Sequence, residues 1–215
     1  MKKLIILFVF GLLTRQVVPA QGSITYLSNL AQPSVGSLAV GSDSWLATDI
    51  FTGTNASGYL LDSIQLAMAD ASGNPSGFAV MIYSSGGFTG IFPKSSLGTL
   101  NGADNPSTSG IYTFTPISSL MLSPSTDYFI VLTAGTTVAN GAYEWNLTTP
   151  NVLIGDGSWK AGGIFHSDDG STWLYNSGAL QFAIDATAVP EPGVLSLLGL
   201  SGAALLWRRQ AKSAR

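Results

Sequence analysis

The sequence predicts an all-β fold for the middle of the chain: a single antiparallel β-sandwich, jelly-roll-like, flanked by an N-terminal signal-peptide helix and a short C-terminal membrane helix. Three observations predict it. Between residues 21 and 188 apolar side chains alternate with polar ones, and no helical period persists. Turn-forming residues interrupt the alternation at Gly73-Asn74-Pro75, Gly86-Gly87, Asn105-Pro106, Ser123-Pro124 and Asn140-Gly141. Each supplies a positive or a fixed φ where a strand must stop. Many short strands at such spacing make a sandwich or a barrel. No internal repeat is visible, so a propeller or a solenoid is not expected.

The elements follow in chain order. Residues 1–20 read as a secretory signal peptide: Lys2 and Lys3, then the apolar run Leu4 to Leu13, then Val18-Pro19-Ala20, with cleavage after Ala20. Ten apolar residues are too few to span a bilayer as a helix, which takes about 20. Export through the Sec translocon and cleavage by signal peptidase are therefore expected. Residues 21–188 form the β-domain, with strands expected at Ile24–Leu30, Trp45–Thr52, Tyr59–Ala69, Phe78–Tyr83, Ile111–Thr115, Tyr128–Thr133, Tyr143–Leu147, Gly163–His166, Trp173–Tyr175 and Leu180–Asp185. Phe78–Tyr83 and Tyr128–Leu132 are apolar at odd and even positions alike, so they should be central strands covered on both faces. Tyr143, Trp145 and Leu147 alternate with Glu144 and Asn146, and Leu180, Phe182 and Ile184 with Gln181, Ala183 and Asp185; both strands should have one wet face. Residues 93–110 are the longest polar stretch and read as a surface excursion.

Residues 189–215 are a separate tail. Val189-Pro190-Glu191-Pro192-Gly193 is a rigid break, Val194 to Trp207 is apolar apart from Ser and Gly, and Arg208-Arg209 follows. An Arg pair stays on the cytoplasmic side, and Trp207 suits the membrane interface. The apolar stretch rises only about 21 Å as a helix, which suits a transient anchor better than a permanent one.

Composition sets the limits. The chain has 215 residues, of which 10% are charged, against about 25% in ordinary proteins. Of the 9 basic residues only Lys94 and Lys160 lie between residues 21 and 188, against eleven acids there, so that segment carries −9 where the whole chain carries −3. This charge argues against nucleic acid, which requires clustered Lys and Arg. With no Cys, disulfides, Cys-based zinc sites and thiol catalysis are excluded. No cofactor is expected.

The ordered set of Pro190-Glu191-Pro192, a short apolar helix and Arg208-Arg209, with a signal peptide at the other end, resembles the PEP-CTERM sorting domain. The resemblance implies an exosortase-like membrane transpeptidase as partner, processing near the motif, an inner-membrane intermediate, and a final place at the cell surface or in the extracellular matrix of a bacterium. The middle resembles the choice-of-anchor R domains. It does so through Asp62-Ser63-Ile64-Gln65-Leu66, Val80-Met81-Ile82-Tyr83-Ser84, Leu122-Ser123-Pro124-Ser125-Thr126-Asp127-Tyr128 and Tyr143-Glu144-Trp145. That resemblance implies an extracellular β-sandwich and no catalytic set.

The remaining constellations read as structural, and no catalytic residue is assigned. Leu122-x-Pro124-x-Thr126-x-Tyr128 looks like a tyrosine corner, in which the hydroxyl bonds back to nearby backbone. Asp168-x-Gly170-x-Thr172-Trp173 resembles the Asp-box of secreted β-propellers and sialidases, a hairpin turn stitched by side chains. Calcium is the alternative reading there, with Asp168, Asp169 and Asp156 as oxygen ligands. A triad would have to use His166, the only histidine, and no Gly-x-Ser-x-Gly elbow accompanies it. Glycoside hydrolysis needs paired acids, and Glu144 is the only Glu before the tail. A non-enzymatic exported protein is expected. The alternative is a carbohydrate-binding module of the exopolysaccharide matrix, with Trp159 and Trp173 as an exposed aromatic platform, although Trp is usually buried and the core reading of both leads; a secreted hydrolase is the third reading.

Overall fold

A computed structural model describes residues 22–86, 91–149, 153–155 and 158–191. The signal peptide with Ala20, the C-terminal helix, Pro192, Arg208, Arg209 and Asp156 lie outside the described residues. The strand-bearing unit runs from Gly22 to Val189.

Fourteen strands form it: β1 (Ile24–Ser28), β2 (Ser34–Val40), β3 (Trp45–Phe51), β4 (Tyr59–Gly73), β5 (Ala79–Ser85), β6 (Pro93–Gly102), β7 (Gly110–Pro116), β8 (Met121–Leu122), β9 (Asp127–Thr133), β10 (Gly141–Thr148), β11 (Lys160–Ser167), β12 (Leu174–Asn176), β13 (Ala179–Leu180) and β14 (Phe182–Ala188). Every pairing is antiparallel. Among the described residues the only helical piece is a 3-10 turn, Val138–Asn140.

The all-β class is as expected, but the hydrogen bonds do not divide the strands into two sheets. All fourteen belong to one open network, whose main path runs β1-β14-β4-β7-β6-β5-β9-β3-β11-β12, with β10 bonded to β2, β4 and β13. The principal core draws on strands far apart along that path. Leu46, Ile50, Val80, Ile82, Ile130 and Leu132 come from β3, β5 and β9; Ile64, Leu66, Met68, Tyr143, Trp145, Phe182 and Ile184 come from β4, β10 and β14. A second cluster, Ala47, Phe129, Val131, Phe165 and Trp173, lies on the other face of β3 and β9. This explains the continuous apolar run of β9: it pairs with β3 and β5 and is covered on both sides.

Two expectations are corrected. Residues 93–102 of the polar stretch are not a loop but the ten-residue strand β6, paired with β5 and β7. Only Pro93 and Leu100 of β6 are buried, so its Ser and Lys side chains face water while the backbone completes the sheet. Leu180–Asp185 does not have one wet face: Gln181 and Ala183 are buried along with Leu180, Phe182 and Ile184. The Gln181 amide is satisfied there by donating to Gln32 O at 2.6 Å, as a buried polar group requires. Tyr143 and Trp145 do point into the core, and Glu144 between them accepts a hydrogen bond from Ser37 Oγ at 2.8 Å.

Candidate functional site

The residues of interest gather where the chain leaves the sheet. β14 runs antiparallel between β1 and β4, in register Ile24↔Ala186 on one side and Tyr59↔Ala188 on the other. Gly22 and Val189 are therefore at the same end of neighbouring strands. Asp185 ties the three strands together, accepting from Thr25 Oγ1 at 2.6 Å and from Ser63 Oγ at 2.8 Å.

The last residue of this unit is held by the turn that precedes β4. Asn55 O accepts from Gly58 N–H at 2.8 Å, closing the turn, and Gly58 adopts φ +79°, where a side chain would be strained. A Cβ at Gly58 would also collide with Leu122 O. Val189 N–H donates to Gly58 O at 3.0 Å. Asn55 Nδ2 donates to Val189 O and to Gly58 O, both at 2.9 Å. The turn is anchored in turn by Tyr59, whose hydroxyl accepts the Asn55 N–H at 3.1 Å. Tyr59 meets Tyr26 and Trp159 edge-on at 5.1 and 5.0 Å, and Tyr26 stacks on Trp159 at 4.9 Å. Pro190 and Glu191, the part of the sorting motif within the described residues, follow directly and are exposed.

Trp159 and Trp173 follow the core reading and form no exposed aromatic platform. Trp159 is 4% exposed, inside that aromatic triad, and Trp173 is 7% exposed, in the second cluster. Trp is large and apolar, and in both turn-rich segments burial won. Tyr128 behaves as a tyrosine corner: its hydroxyl accepts the Ser123 N–H at 2.8 Å. The Asp-box-like run forms a stitched turn, but the stitching carboxylate is Asp169, not Asp168. Asp169 Oδ1 accepts from the N–H groups of Ser171 and Thr172 at 2.8 and 3.0 Å, and Oδ2 from Ser171 Oγ at 2.7 Å. The Ser171 hydroxyl, then these N–H groups and Ser167, hold its pKa far below the usual carboxylate range. Asp168 points outward, 3.5 Å from His166 Nε2. Among the described residues no three His, Cys, Asp or Glu side chains gather around a metal position.

Two residues have roles that the sequence pattern does not reveal. Asn55 carried a signal, since Asn-x-Ser-Gly is turn chemistry, but its partner Val189 is 134 positions away. Asp49 is the one acid in the mostly apolar β3, and one of its oxygens is buried with no hydrogen-bond partner among the described residues. A Cβ at Gly162, in the irregularity between Ala161 and Ile164, would overlap its carboxylate. Burial foremost, and the nearby Asp127 charge, push the Asp49 carboxyl above its usual range.

In comparison with known protein families, residues 188–210 fit the PEP-CTERM protein-sorting motif. The motif marks an exported protein with a transient membrane-anchored stage and an exosortase-type processing partner. No curated protein matches the chain. Among the described residues no helix is long and apolar enough to cross a membrane; the apolar run Val194–Trp207 lies outside them.

Proposed function

We propose that this is a non-enzymatic bacterial protein whose β-domain is delivered to the cell surface or the extracellular matrix after an exosortase-like transpeptidase removes its tail. The observation that carries the reading is the sorting motif at residues 188–210, beginning where β14 ends at Ala188. The order of Pro190-Glu191-Pro192, apolar run and Arg208-Arg209 fits a signal that is held at the membrane and then processed. The resemblance of the β-domain to choice-of-anchor R domains supports an extracellular destination.

A purely structural or adhesive role is supported by the surroundings of Glu144 and His166. Glu144 is engaged by Ser37, and His166 lies beside the outward-pointing Asp168. General acid–base chemistry needs paired groups in a cleft. Glycan binding, if the domain has it, must use a surface other than Trp159 and Trp173.

The test is the mass of the mature protein from an exosortase-bearing host. The wild type should lack residues 194–215. Replacing Arg208 and Arg209 by Ala should leave the tail attached and the protein in the membrane fraction or mislocalised. A mature, released wild-type protein that still contains residues 194–215 would sink the reading.

A further inference from the structure

A single residue, Val189, separates the end of β14 from Pro190-Glu191-Pro192, and both of its main-chain groups are engaged. Its N–H donates to Gly58 O and its carbonyl accepts from Asn55 Nδ2. Just upstream, Ala186, Thr187 and Ala188 are in register with Leu61, Leu60 and Tyr59 of β4. The backbone is thus held in continuous pairing up to the residue before Pro190. The holding turn is itself fixed to the core through Tyr59, which is 3% exposed.

Enzymes that act on peptide bonds take their substrate as extended chain and contact the main chain on either side of the bond. Backbone already paired within a fold is reached only by local opening, and the rate then follows the population of the open form. Here the backbone on the N-terminal side of Pro190 is paired as far as Val189.

We propose that Asn55 is a positioning residue for C-terminal processing. By clamping Val189 it fixes the point at which Pro190 leaves the domain and restricts access to the chain on the N-terminal side of the motif. The proposal rests on the sorting reading above. Loss of the Asn55 side chain removes the hydrogen bond to the Val189 carbonyl, and one such bond corresponds to about a fivefold change in the open population.

The experiment follows conversion of precursor to mature protein by pulse-chase, using the full chain in an exosortase-bearing host. Four forms are compared: wild type, Asn55→Ala, a short Gly-Ser spacer inserted between Val189 and Pro190, and both changes together. Asn55→Ala and the spacer should each speed conversion, Asn55→Ala by about fivefold. Together they should act no faster than the spacer alone, because slack in the chain makes the clamp irrelevant. A merely destabilised domain would instead shift the rate equally with and without the spacer. Amide exchange at Val189 in the purified full chain should also rise in Asn55→Ala. Conversion that is unchanged in Asn55→Ala, or additive with the spacer, overturns the positioning role while the sorting reading stands. Absence of conversion in all four forms overturns the sorting reading, and the positioning role with it.

Discussion

Tyr128 and Asp49 lie on the paired strands β9 and β3, and they show how one polar atom can have opposite effects on a fold. The Tyr128 ring is buried, and its hydroxyl serves as acceptor for Ser123 N–H where the chain turns into β9. Tyr128→Phe keeps the ring and removes only that acceptor, so it should cost about 1 kcal/mol in urea unfolding with an unchanged m-value. A variant as stable as the wild type would deny the corner its role. Asp49 is a liability instead. Burial, then the charge of Asp127, raises its pKa in the folded chain. The folded state therefore holds its proton to higher pH than the unfolded chain does. Stability attributable to this group is greatest below the usual aspartate pKa, about 4, and falls as pH rises through the raised value. Asp49→Asn removes the charge at similar volume. Its melting temperature should exceed that of the wild type at neutral pH, and the difference should shrink toward zero in acid. A difference that grows in acid would reverse the assignment.

At the scale of the element, legibility depended on whether the information was local. β9 could be read directly, since an unbroken apolar run announces a strand covered twice, and β10 in part: Tyr143 and Trp145 face the core as expected, while Glu144 and Asn146 are half-buried rather than wet. The tail could be read for the same reason, since its motif, apolar run and Arg pair are contiguous. β6 could not, because its stability comes from backbone pairing to β5 and β7 while Lys94, Ser95 and Ser96 face water. β2 was missed likewise: Ser34, Val35 and Gly36 are exposed, and only pairing to β10 makes the segment a strand. The stitched turn was located correctly and its carboxylate was not. Asp168 and Asp169 are adjacent acids, and which one faces the N–H groups of Ser171 and Thr172 is decided by backbone geometry rather than by spacing. The site at the chain exit was half legible: Pro190 and Glu191 are visible in the sequence, whereas Asn55 gains its role only through a partner from the other end of the domain.

For the whole molecule, the order of pairing sets when the fold can be completed. β1 pairs with β14, joining Thr25 to Asp185 across 160 positions, and β2 and β4 both pair with the distant β10. Such non-local contacts require loop closure before they are rewarded, so folding should be slow, on the order of milliseconds to seconds. β14 is the last strand of the described residues yet lies between β1 and β4, and it supplies Phe182, Ile184 and Ala186 to the principal core. Removing buried Phe and Ile side chains costs about 3–5 and 2–5 kcal/mol each, against a total stability of about 5–15 kcal/mol for a domain. A chain lacking residues 182–189 should therefore show no cooperative thermal transition and no fixed near-ultraviolet circular dichroism. A cooperative transition in that truncated chain would show that β1 and β4 hold without their shared partner. Because the sorting motif starts at the end of β14, any chain cut short of the last strand also loses its sorting signal. The sorting signal thus directly follows the strand that completes the sheet, and a chain that reaches the signal has every described strand available to fold.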